Sequence, residues 1–393
     1  MAQIPTQSIR CEPAAVRGLC ARLLELHGLP TPDARLLADT LIESNLRGVD
    51  SHGIARLQHY LRRILGGSIE PRPDMRFEAL GPATGRVDGG HGMGQIVMAR
   101  ATQEAIRLAG ESGAGWVSVC NSSHCGALSY FGLQIASAGM IGLVFTHVDP
   151  MVLPHDAAEP FCGTNPICVT MPGRGGKDIC LDMATSVTPW NSVANAAMEG
   201  VPIPMGWAVD RDGVDTTDAR EVAALYPVGG HKGAGLGLVI DVLCGMLSGA
   251  PIGPDIPKMY GDYTERRRLG GLVGVIDVKR FVEIDVFRDR IERLLHRWGQ
   301  VRPASTGGRV LFPGQPELET RAARLREGVP LGLNLIEELH KLADQHGLPR
   351  LKAKSKPAVS TTPSPIDTGP PAARADAAQR PCTPDHKPGH APS

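Results

Sequence analysis

The sequence predicts an α/β or α+β fold, because short strand-like runs alternate with helical segments. Four runs rich in valine, isoleucine and cysteine end in small polar residues, as strands do where they lead into loops: GAGWVSVCNSS, GMIGLVFTHVDP, CGTNPICVTMP and KDICLDMATS. Helical segments of about a dozen residues alternate with these runs, as in residues 98–113. This alternation is typical of folds in which helices pack on a sheet.

The first helices are marked by start signals, whereas the end of the chain has none. Thr31, Pro32 and Asp33 combine a capping hydroxyl with a proline at the first helical position, and leucines then recur at helical spacing. A second helix is predicted at residues 53–65. Residues 351–393 are rich in proline, alanine, serine and lysine, with almost no large apolar side chains. Such a segment cannot bury enough apolar surface to order itself, so it predicts a disordered tail.

Composition and charge argue against several kinds of partner. The 393 residues carry 41 basic and 41 acidic side chains, and aromatic residues make up 4%, which disfavours nucleic acid. The nine cysteines form no C-x-x-C pair, as expected for reduced thiols in the cytoplasm. The N-terminus lacks the apolar core of a signal peptide. The most apolar stretch contains Asp241 and is shorter than the roughly 20 residues that span a membrane. We therefore expect a cytoplasmic protein with no membrane partner.

The stretch VDSHGIARLQHYLRRI predicts a polar stripe on a helix. At about 100° per residue, His52, Arg56 and Tyr60 share one face, while isoleucines and leucines form another. A solvated polar face and an anion site both fit this pattern. In the second interpretation, Arg56 offers a planar guanidinium that binds a carboxylate through two hydrogen bonds.

The stretch NSSHCGA admits several roles for His124. A metal site is disfavoured, because His124 and Cys125 are adjacent and Cys120 is poorly spaced from them. A nucleophile is disfavoured, because neither G-x-S-x-G nor a papain-like cysteine pattern is present. An acid/base histidine on a loop after a strand and a structural polar turn both remain.

Two further stretches offer backbone amides to a flat or phosphate-bearing ligand. LDMATS ends a predicted strand with small side chains. PVGGHKGAGLGLVIDVL places Lys232 among glycines before an apolar helix, whose N-terminal amides attract phosphate. Neither a Walker A pattern nor a G-x-G-x-x-G that opens a βαβ unit is present. A dinucleotide would therefore bind without a Rossmann fingerprint; otherwise the glycines serve tight helix packing.

In this order, the clusters resemble the malate/L-lactate/sulfolactate dehydrogenase family of NAD(P)-dependent oxidoreductases. The resemblance covers roughly residues 30–345 and is carried by DSHGIARLQHY, GHGMGQ, NSSHCGA, GMIGL, GTNP, LDMATS, IPMGWAVDRDG, TTD and GGHKGAGLGLVIDVLCGMLSGA. Within the family, DPMVLP, TSVTPW, MYGDYTERRRLGG and FPGQ are most similar to the ureidoglycolate dehydrogenase branch.

The resemblance implies a non-Rossmann fold of the L-sulfolactate dehydrogenase type. Residues 1–75 would form an N-terminal helical domain, and residues 76–285 a cofactor domain with a mainly antiparallel sheet. Residues 286–350 would form C-terminal helices that pack with the N-terminal domain. The resemblance also implies a homodimer, NAD or NADP as cofactor, and a small 2-hydroxy acid as substrate, with no metal required.

The resemblance assigns roles to individual residues. His124 matches the catalytic histidine, and Asp149 matches the acid that orients it. The substrate-side positions are Ser51, His52, Arg56, Tyr60 and Arg267, and the cofactor-side positions are Asp182, Met183, Ala184, Lys232, Gly314 and Gln315. These residue types suit oxidation of a 2-hydroxy acid, because histidine titrates near neutral pH and arginine anchors a carboxylate.

Some positions depart from the family pattern. Asn191 and Ser192 replace the usual Gly-Lys, Ala234 replaces a tyrosine, and Val148 replaces a serine or asparagine on the substrate side. The leading hypothesis is oxidation of (S)-ureidoglycolate to oxalurate. The departures keep three alternatives open: oxidation of malate, lactate or sulfolactate; reduction of a 2-oxo or cyclic imino acid; and a ligand-binding homologue without turnover.

Overall fold

The structure, a computed structural model, describes residues 7–354. The helices of this part are α1 (Pro13–Leu26), α2 (Thr31–Leu46), α3 (Leu57–Leu65), α4 (Gly94–Ser112), α5 (Ser129–Ser137), α6 (Trp190–Glu199), α7 (His231–Asp241), α8 (Ile284–Gly299), α9 (Gln315–Glu327) and α10 (Leu333–Gln345). The strands are β1 (Ser8–Cys11), β2 (Arg76–Gly81), β3 (Thr84–Asp88), β4 (Ala114–Ser122), β5 (Met140–Thr146), β6 (Ile167–Met171), β7 (Ile179–Met183), β8 (Ala208–Val209), β9 (Ala224–Leu225), β10 (Leu269–Asp277) and β11 (Val329–Gly332). Within residues 7–354, no helix combines the length and the apolar character needed to cross a membrane.

A seven-stranded sheet forms the centre of the fold, in the order β2-β3-β4-β10-β5-β6-β7. Neighbouring strands are antiparallel except for β3 and β4, which are parallel. The prediction of a mixed α/β fold with a mainly antiparallel sheet is therefore confirmed. The four predicted strands correspond to β4, β5, β6 and β7.

Strand β10 lies in the middle of this sheet, although its sequence LGGLVGVID contains three glycines. Glycine weakens the intrinsic preference for a strand, but it allows a close approach. A Cβ at Gly274 would lie 2.4 Å from the Trp116 ring, and a Cβ at Gly270 would lie 1.9 Å from the Cys244 carbonyl oxygen. Close packing against this strand therefore explains why it is rich in glycine.

The two ends of the described chain build a second, helical core. Strand β1 pairs with β11, and apolar side chains of α1, α2, α3, β11 and α10 form one buried cluster. Helix α9 contacts α2, and α10 contacts α1. The first residues of the predicted tail join this core, since Leu351 is buried and the Lys354 amide donates to the Arg10 carbonyl at 2.7 Å. Residues 355–393 of that tail lie outside the described residues.

Helix α8 lies at the molecular surface and contacts the loop between β6 and β7. Among its side chains only Ile291 is buried. Asp285 and Asp289 form ion pairs with Arg174, in the loop between β6 and β7. The division into domains at residues 75, 285 and 350 stays a prediction, and the residues described fall within one compact unit.

The helix predicted at residues 53–65 begins later than expected. Residues 50–52 and 54–56 each form a single 3-10 turn before α3 starts. Gly53 between them is extended, and a Cβ there would lie 2.2 Å from the side-chain oxygen of Asn45 in α2. That oxygen also accepts a hydrogen bond from the Ile54 amide at 2.8 Å. Because Asn45 of α2 binds the backbone at this point, the polar stripe is built from two 3-10 turns and α3 rather than from one continuous helix.

Candidate active site

His124 lies in the loop between β4 and α5, at the meeting point of three chain segments. Its Nδ1 is 2.8 Å from the Tyr60 hydroxyl, to which Gln95 Nε2 also donates, at 2.9 Å. The His52 ring stacks on His124, with ring centroids 5.6 Å apart. Within the described part of the chain, no hydrogen bond to His124 Nε2 is found. The structure thus leaves Nε2 available to a substrate.

The polar residues before His124 anchor this loop to the segment that follows β3. Asn121 Nδ2 donates to Asp88 Oδ1 at 3.1 Å. Ser123 Oγ donates to the Gly92 carbonyl at 3.0 Å and accepts from the Gly94 amide at 2.8 Å. The NSS residues therefore form the structural polar turn, and that turn positions the histidine.

The surroundings of His124 favour its neutral form. Burial lowers the pKa of His124 well below 6.5, and electrostatic repulsion from His52 and Arg56 lowers it further. Burial, followed by Arg56, lowers the pKa of His52 to about 4. Burial raises the pKa of Tyr60, so its phenol stays protonated. The cluster therefore presents a neutral imidazole that can accept a proton.

Arg56 is held beside this cluster by three uncharged acceptors. Its Nε donates to the Ser51 carbonyl at 2.7 Å, and Nη2 donates to Asn191 Oδ1 at 2.7 Å. Its Nη1 donates to the Tyr260 hydroxyl. Ser51 Oγ lies 3.0 Å from His52 Nδ1, which ties the turn to the stacked histidine. No carboxylate neutralises Arg56 among the described residues, so its charge remains available to an anion.

Asp149 is paired with Arg267 rather than with His124. Its Oδ1 accepts from Arg267 Nη2 in a buried ion pair, and its Oδ2 accepts from the Met259 amide at 3.2 Å. No hydrogen bond joins Asp149 to His124 in residues 7–354. Tyr60 contacts His124 Nδ1, whereas the carboxylate of Asp149, to which the resemblance assigns the orienting role, is paired with a buried guanidinium.

Arg267 keeps an unused donor close to the histidine. Burial lowers the pKa of Arg267 to about 10 while Asp149 raises it, so the side chain is a cation at neutral pH. Its charge acts on His124, whose pKa it helps to lower. Its Nη1 is buried without a hydrogen-bond partner. Buried donors are normally satisfied, so this atom is the one donor of the buried ion pair left without a partner among residues 7–354.

Arg63, on the buried side of α3, holds the loop that carries Tyr260 and Arg267. Only 2% of Arg63 is exposed. It donates to the carbonyl oxygens of Lys258, Met259 and Glu265, at distances of 2.7–3.2 Å. Three backbone acceptors on one loop fix its path. Arg63 therefore determines where the loop places Tyr260 and Arg267.

The residues expected on the cofactor side surround the end of β7. Asp182 Oδ2 accepts from the Ser129 amide at 2.7 Å and so caps α5. The Cys180 amide donates to the Pro313 carbonyl at 2.9 Å, which brings Gly314, with φ of 92°, and Gln315 to the same strand. The residues that follow Asp182 along the strand, Met183 and Ala184, are half-buried.

The turn after β7 also meets the N-terminus of α7, which carries Lys232. The Val228 amide donates to the Thr185 carbonyl at 2.8 Å. A Cβ at Gly233 would lie 2.2 Å from the Val228 carbonyl oxygen and 3.0 Å from that of Thr185, so only glycine allows this approach. Lys232 is exposed, and no hydrogen bond of its ammonium to residues 7–354 is found. A lysine and helix-terminal amides thus adjoin the strand end, a donor set that suits phosphate.

A second buried histidine, His147, has a structural arrangement. Its Nδ1 lies 2.9 Å from Asp241 Oδ1, and its Nε2 accepts from the Gly270 amide at 2.9 Å. Both ring nitrogens are used inside the core, which leaves neither for a substrate. Across residues 7–354, no group of three or more His, Cys, Asp or Glu side chains is arranged to hold a metal ion.

Sequence reasoning missed Asn191, Tyr260 and Gln95 as parts of the site. Gln95 ends the GHGMGQ motif, and Tyr260 lies in MYGDYTERRRLGG. Both motifs contribute to the family resemblance, but the resemblance assigned no role to these two residues. Asn191 was visible only as a departure from the usual glycine. Its contact with Arg56 depends on two segments 135 residues apart, which spacing along the chain cannot reveal.

A neutral histidine, an uncompensated arginine and a strand end that suits phosphate are residues that fit a nicotinamide-dependent dehydrogenase. The chain belongs to the malate/L-lactate dehydrogenase family, whose pattern matches residues 11–340. It is therefore an oxidoreductase of the hydroxy acid dehydrogenase class.

Related proteins span most of the chain. It is 35% identical to ureidoglycolate dehydrogenase (NAD(+)) of Escherichia coli over 314 residues, 80% of this chain and 89% of the relative. The malate dehydrogenase structure from Pyrococcus horikoshii has a TM-score of 0.81 at 32% identity and covers 89% of this chain and 99% of its own. The sulfolactate dehydrogenase structure from Methanocaldococcus jannaschii also has a TM-score of 0.81 at 32% identity, covering 86% of this chain and 98% of its own. The expected L-sulfolactate dehydrogenase-like fold is thereby confirmed.

Proposed function

We propose that this chain catalyses the NAD-dependent oxidation of (S)-ureidoglycolate to oxalurate, with His124 as the acid/base. The observation that carries the proposal is the placement of the neutral His124 imidazole beside Arg56, whose acceptors are all uncharged. The E. coli relative, a ureidoglycolate dehydrogenase, supports the choice of substrate.

His124 is suited to take the proton of the substrate hydroxyl at Nε2. The Tyr60 oxygen can accept from both Gln95 and His124 Nδ1–H, which leaves the Nε2 lone pair free. During oxidation, the hydroxyl proton passes to Nε2 while a hydride leaves the same carbon. In the reverse direction, the imidazolium returns that proton to the 2-oxo group.

Two arginines can hold the ends of the substrate. Arg56 binds the carboxylate and so orients the reacting carbon. The unpartnered Nη1 of Arg267 offers a donor to an oxygen of the ureido group. Val148, in contrast, packs with Ile256 and Leu269 and offers no side-chain hydrogen bond. Recognition of the ureido group therefore falls to Arg267.

The residues around β7 fit a nicotinamide dinucleotide. Lys232 and the N-terminal amides of α7 suit the pyrophosphate, and Asp182, Met183, Ala184, Gly314 and Gln315 line the neighbouring strand end. When bound, the nicotinamide supplies the hydride acceptor. We propose NAD as the cofactor, following the relative that is named for it.

The test is a rate measurement with NAD and with NADP on ureidoglycolate, malate, lactate and sulfolactate, and in reverse on a 2-oxo acid and a cyclic imino acid. We expect the highest kcat/KM with NAD and (S)-ureidoglycolate, followed as NADH absorbance. A higher kcat/KM with malate or sulfolactate would replace ureidoglycolate as the substrate. Tight binding of NADH with no turnover on any member would instead indicate a binding protein.

His124→Ala tests the role of the histidine. We expect kcat/KM to fall by about 10²–10⁴-fold, the usual contribution of a general acid/base. His296→Ala on α8, an exposed histidine, is the matched control and should leave the rate unchanged. Unfolding curves of both variants should match the unmodified protein. A His124→Ala enzyme with full rate would contradict the mechanism.

We also propose a cytoplasmic homodimer that uses the exposed face of α7. The eight cysteines of the described chain are all unpaired, which supports a reducing compartment. Helix α7 and the π-helical turn that extends it, residues 242–246, expose Leu238, Val239, Val242 and Met246 to between 40% and 60%. An apolar face of this kind, next to Lys232, is typical of a subunit interface.

A further inference from the structure

We propose that Asn191 is a specificity-determining residue that positions Arg56 for a carboxylate without neutralising it. The inference rests on the proposed function, because it concerns the substrate anion of the same site. Asn191 opens α6 in the segment TPWNSV, where the family pattern has a glycine. Glycine has no side chain to reach Arg56, so the departure from that pattern provides this contact.

The hydrogen bonds of Arg56 leave two of its N–H donors free. A guanidinium has five N–H groups, one on Nε and two on each terminal nitrogen. Ser51, Asn191 and Tyr260 take one from each nitrogen. One N–H therefore remains on Nη1 and one on Nη2. These two donors are available to the oxygens of a carboxylate.

The acceptors of Arg56 also leave its charge uncompensated, unlike those of Arg267 and Arg324. Arg267 is paired with the carboxylate of Asp149, and Arg324 with that of Asp50. Arg56 has instead an amide, a phenol and a backbone carbonyl as acceptors. An aspartate at position 191 would be nearly isosteric but would occupy the cation with a negative charge. The asparagine amide therefore keeps Arg56 selective for a substrate anion.

Asn191 also places a donor beside Arg56. Its Oδ1 is used by the guanidinium, so its Nδ2 hydrogens remain, and no hydrogen bond from Nδ2 to residues 7–354 is found. An aspartate would lose these donors. Asn191→Asp therefore weakens the anion site twice, through charge and through hydrogen bonding.

The experiment compares Asn191→Asp with Asn195→Asp, which adds the same charge one turn later on the exposed side of α6. We expect Asn191→Asp to raise the KM of the best 2-hydroxy acid by on the order of tenfold or more, the size expected when an anion loses a charge-assisted contact. Its kcat should change much less, and the Kd for NADH should stay the same. Asn195→Asp should leave all three constants unchanged.

Asn191→Ala separates the loss of the Arg56–Asn191 hydrogen bond from the effect of an added negative charge. It removes the acceptor but leaves Arg56 charged, so we expect a smaller rise of KM than in Asn191→Asp. It also serves if the aspartate variant fails to fold. An unchanged KM in either folded variant overturns the inference. So does a parallel fall of kcat and NADH affinity, which indicates a structural role. If the unmodified protein turns over no acid, the proposed function itself fails, whatever Asn191 does.

Discussion

At the scale of single residues, the site depends on how its charges are shared. Two arginines lie near His124, but only Arg267 is paired with a carboxylate. The surplus positive charge and the burial of the ring both keep the imidazole unprotonated. That state suits a base in oxidation, and it attracts an anionic substrate to the same place.

The depressed pKa of His124 predicts the acid limb of the pH profile. Oxidation needs the neutral imidazole, so activity persists as the pH falls below 6.5 and is lost only near the lowered pKa of the free enzyme. The measurement is kcat/KM for oxidation against pH. Stability of the fold should be followed at each pH, so that acid unfolding is not mistaken for titration. An acid limb at or above pH 6.5 would contradict the effect of burial and of Arg56.

At the scale of elements, motifs that are separate in sequence act through the ends of helices and strands. His124 follows β4, Asp182 lies near the end of β7, and Lys232 lies in the first turn of α7. Each position follows from the local pattern, since strands end in small polar residues and glycines open the helix. Helix α7 is unusual in that its apolar side chains face outward.

The outward face of α7 predicts a dimer that a single charge disrupts. We expect Val239→Glu to convert the dimer into monomers, because it buries a carboxylate in an apolar interface. Leu65→Glu is the control, since Leu65 at the end of α3 is more exposed than Val239 but lies on another helix. Sedimentation velocity measures the mass of each variant. A monomeric unmodified protein, or a dimeric Val239→Glu, would contradict the interface.

At the scale of the whole molecule, a C-terminal helix supports the N-terminal part of the site. Arg324 of α9 is 5% exposed and donates to both oxygens of Asp50, at 2.6 and 2.9 Å. Asn45 donates to the same carboxylate at 2.6 Å. Asp50 begins the turn that carries Ser51 and His52, so the far end of the chain fixes this turn.

Arg324→Ala should therefore reduce both stability and substrate binding. We expect the free energy of unfolding to fall by about 3 kcal/mol. This is the lower end of the cost of breaking a buried ion pair, because Asp50 stays partly exposed. The KM of the hydroxy acid should rise as the Ser51–His52 turn loosens. Urea unfolding and steady-state kinetics measure the two effects. Arg326→Ala, exposed on the same helix, should stay within about 0.5 kcal/mol of the unmodified protein. Equal stability of the two variants would refute the role of Arg324.

The local signals located four strands of the sheet, β4 to β7, but not β10 in its middle. Strands β4 to β7 are rich in β-branched residues and could be located from the sequence. Strand β10 could not, because Gly270, Gly271 and Gly274 weaken its pattern, and their reason lies in the side chains and backbone packed against them. The start of the helix predicted at residues 53–65 was misplaced for a similar reason. Gly53 packs against the side chain of Asn45, whose Oδ1 accepts a hydrogen bond from the Ile54 amide.

The sequence by itself determined the kind of chemistry, since His124, Arg56 and the strand end at Asp182 are recognisable by residue type, order and resemblance. Only the tertiary structure decided how they are connected: that Tyr60 rather than Asp149 contacts His124, that Asp149 pairs with Arg267, and that Asn191 holds Arg56. The physical reason is that periodicity reports which face a residue occupies along its own element. A hydrogen bond between distant segments depends on how those elements pack, and no local pattern contains that information.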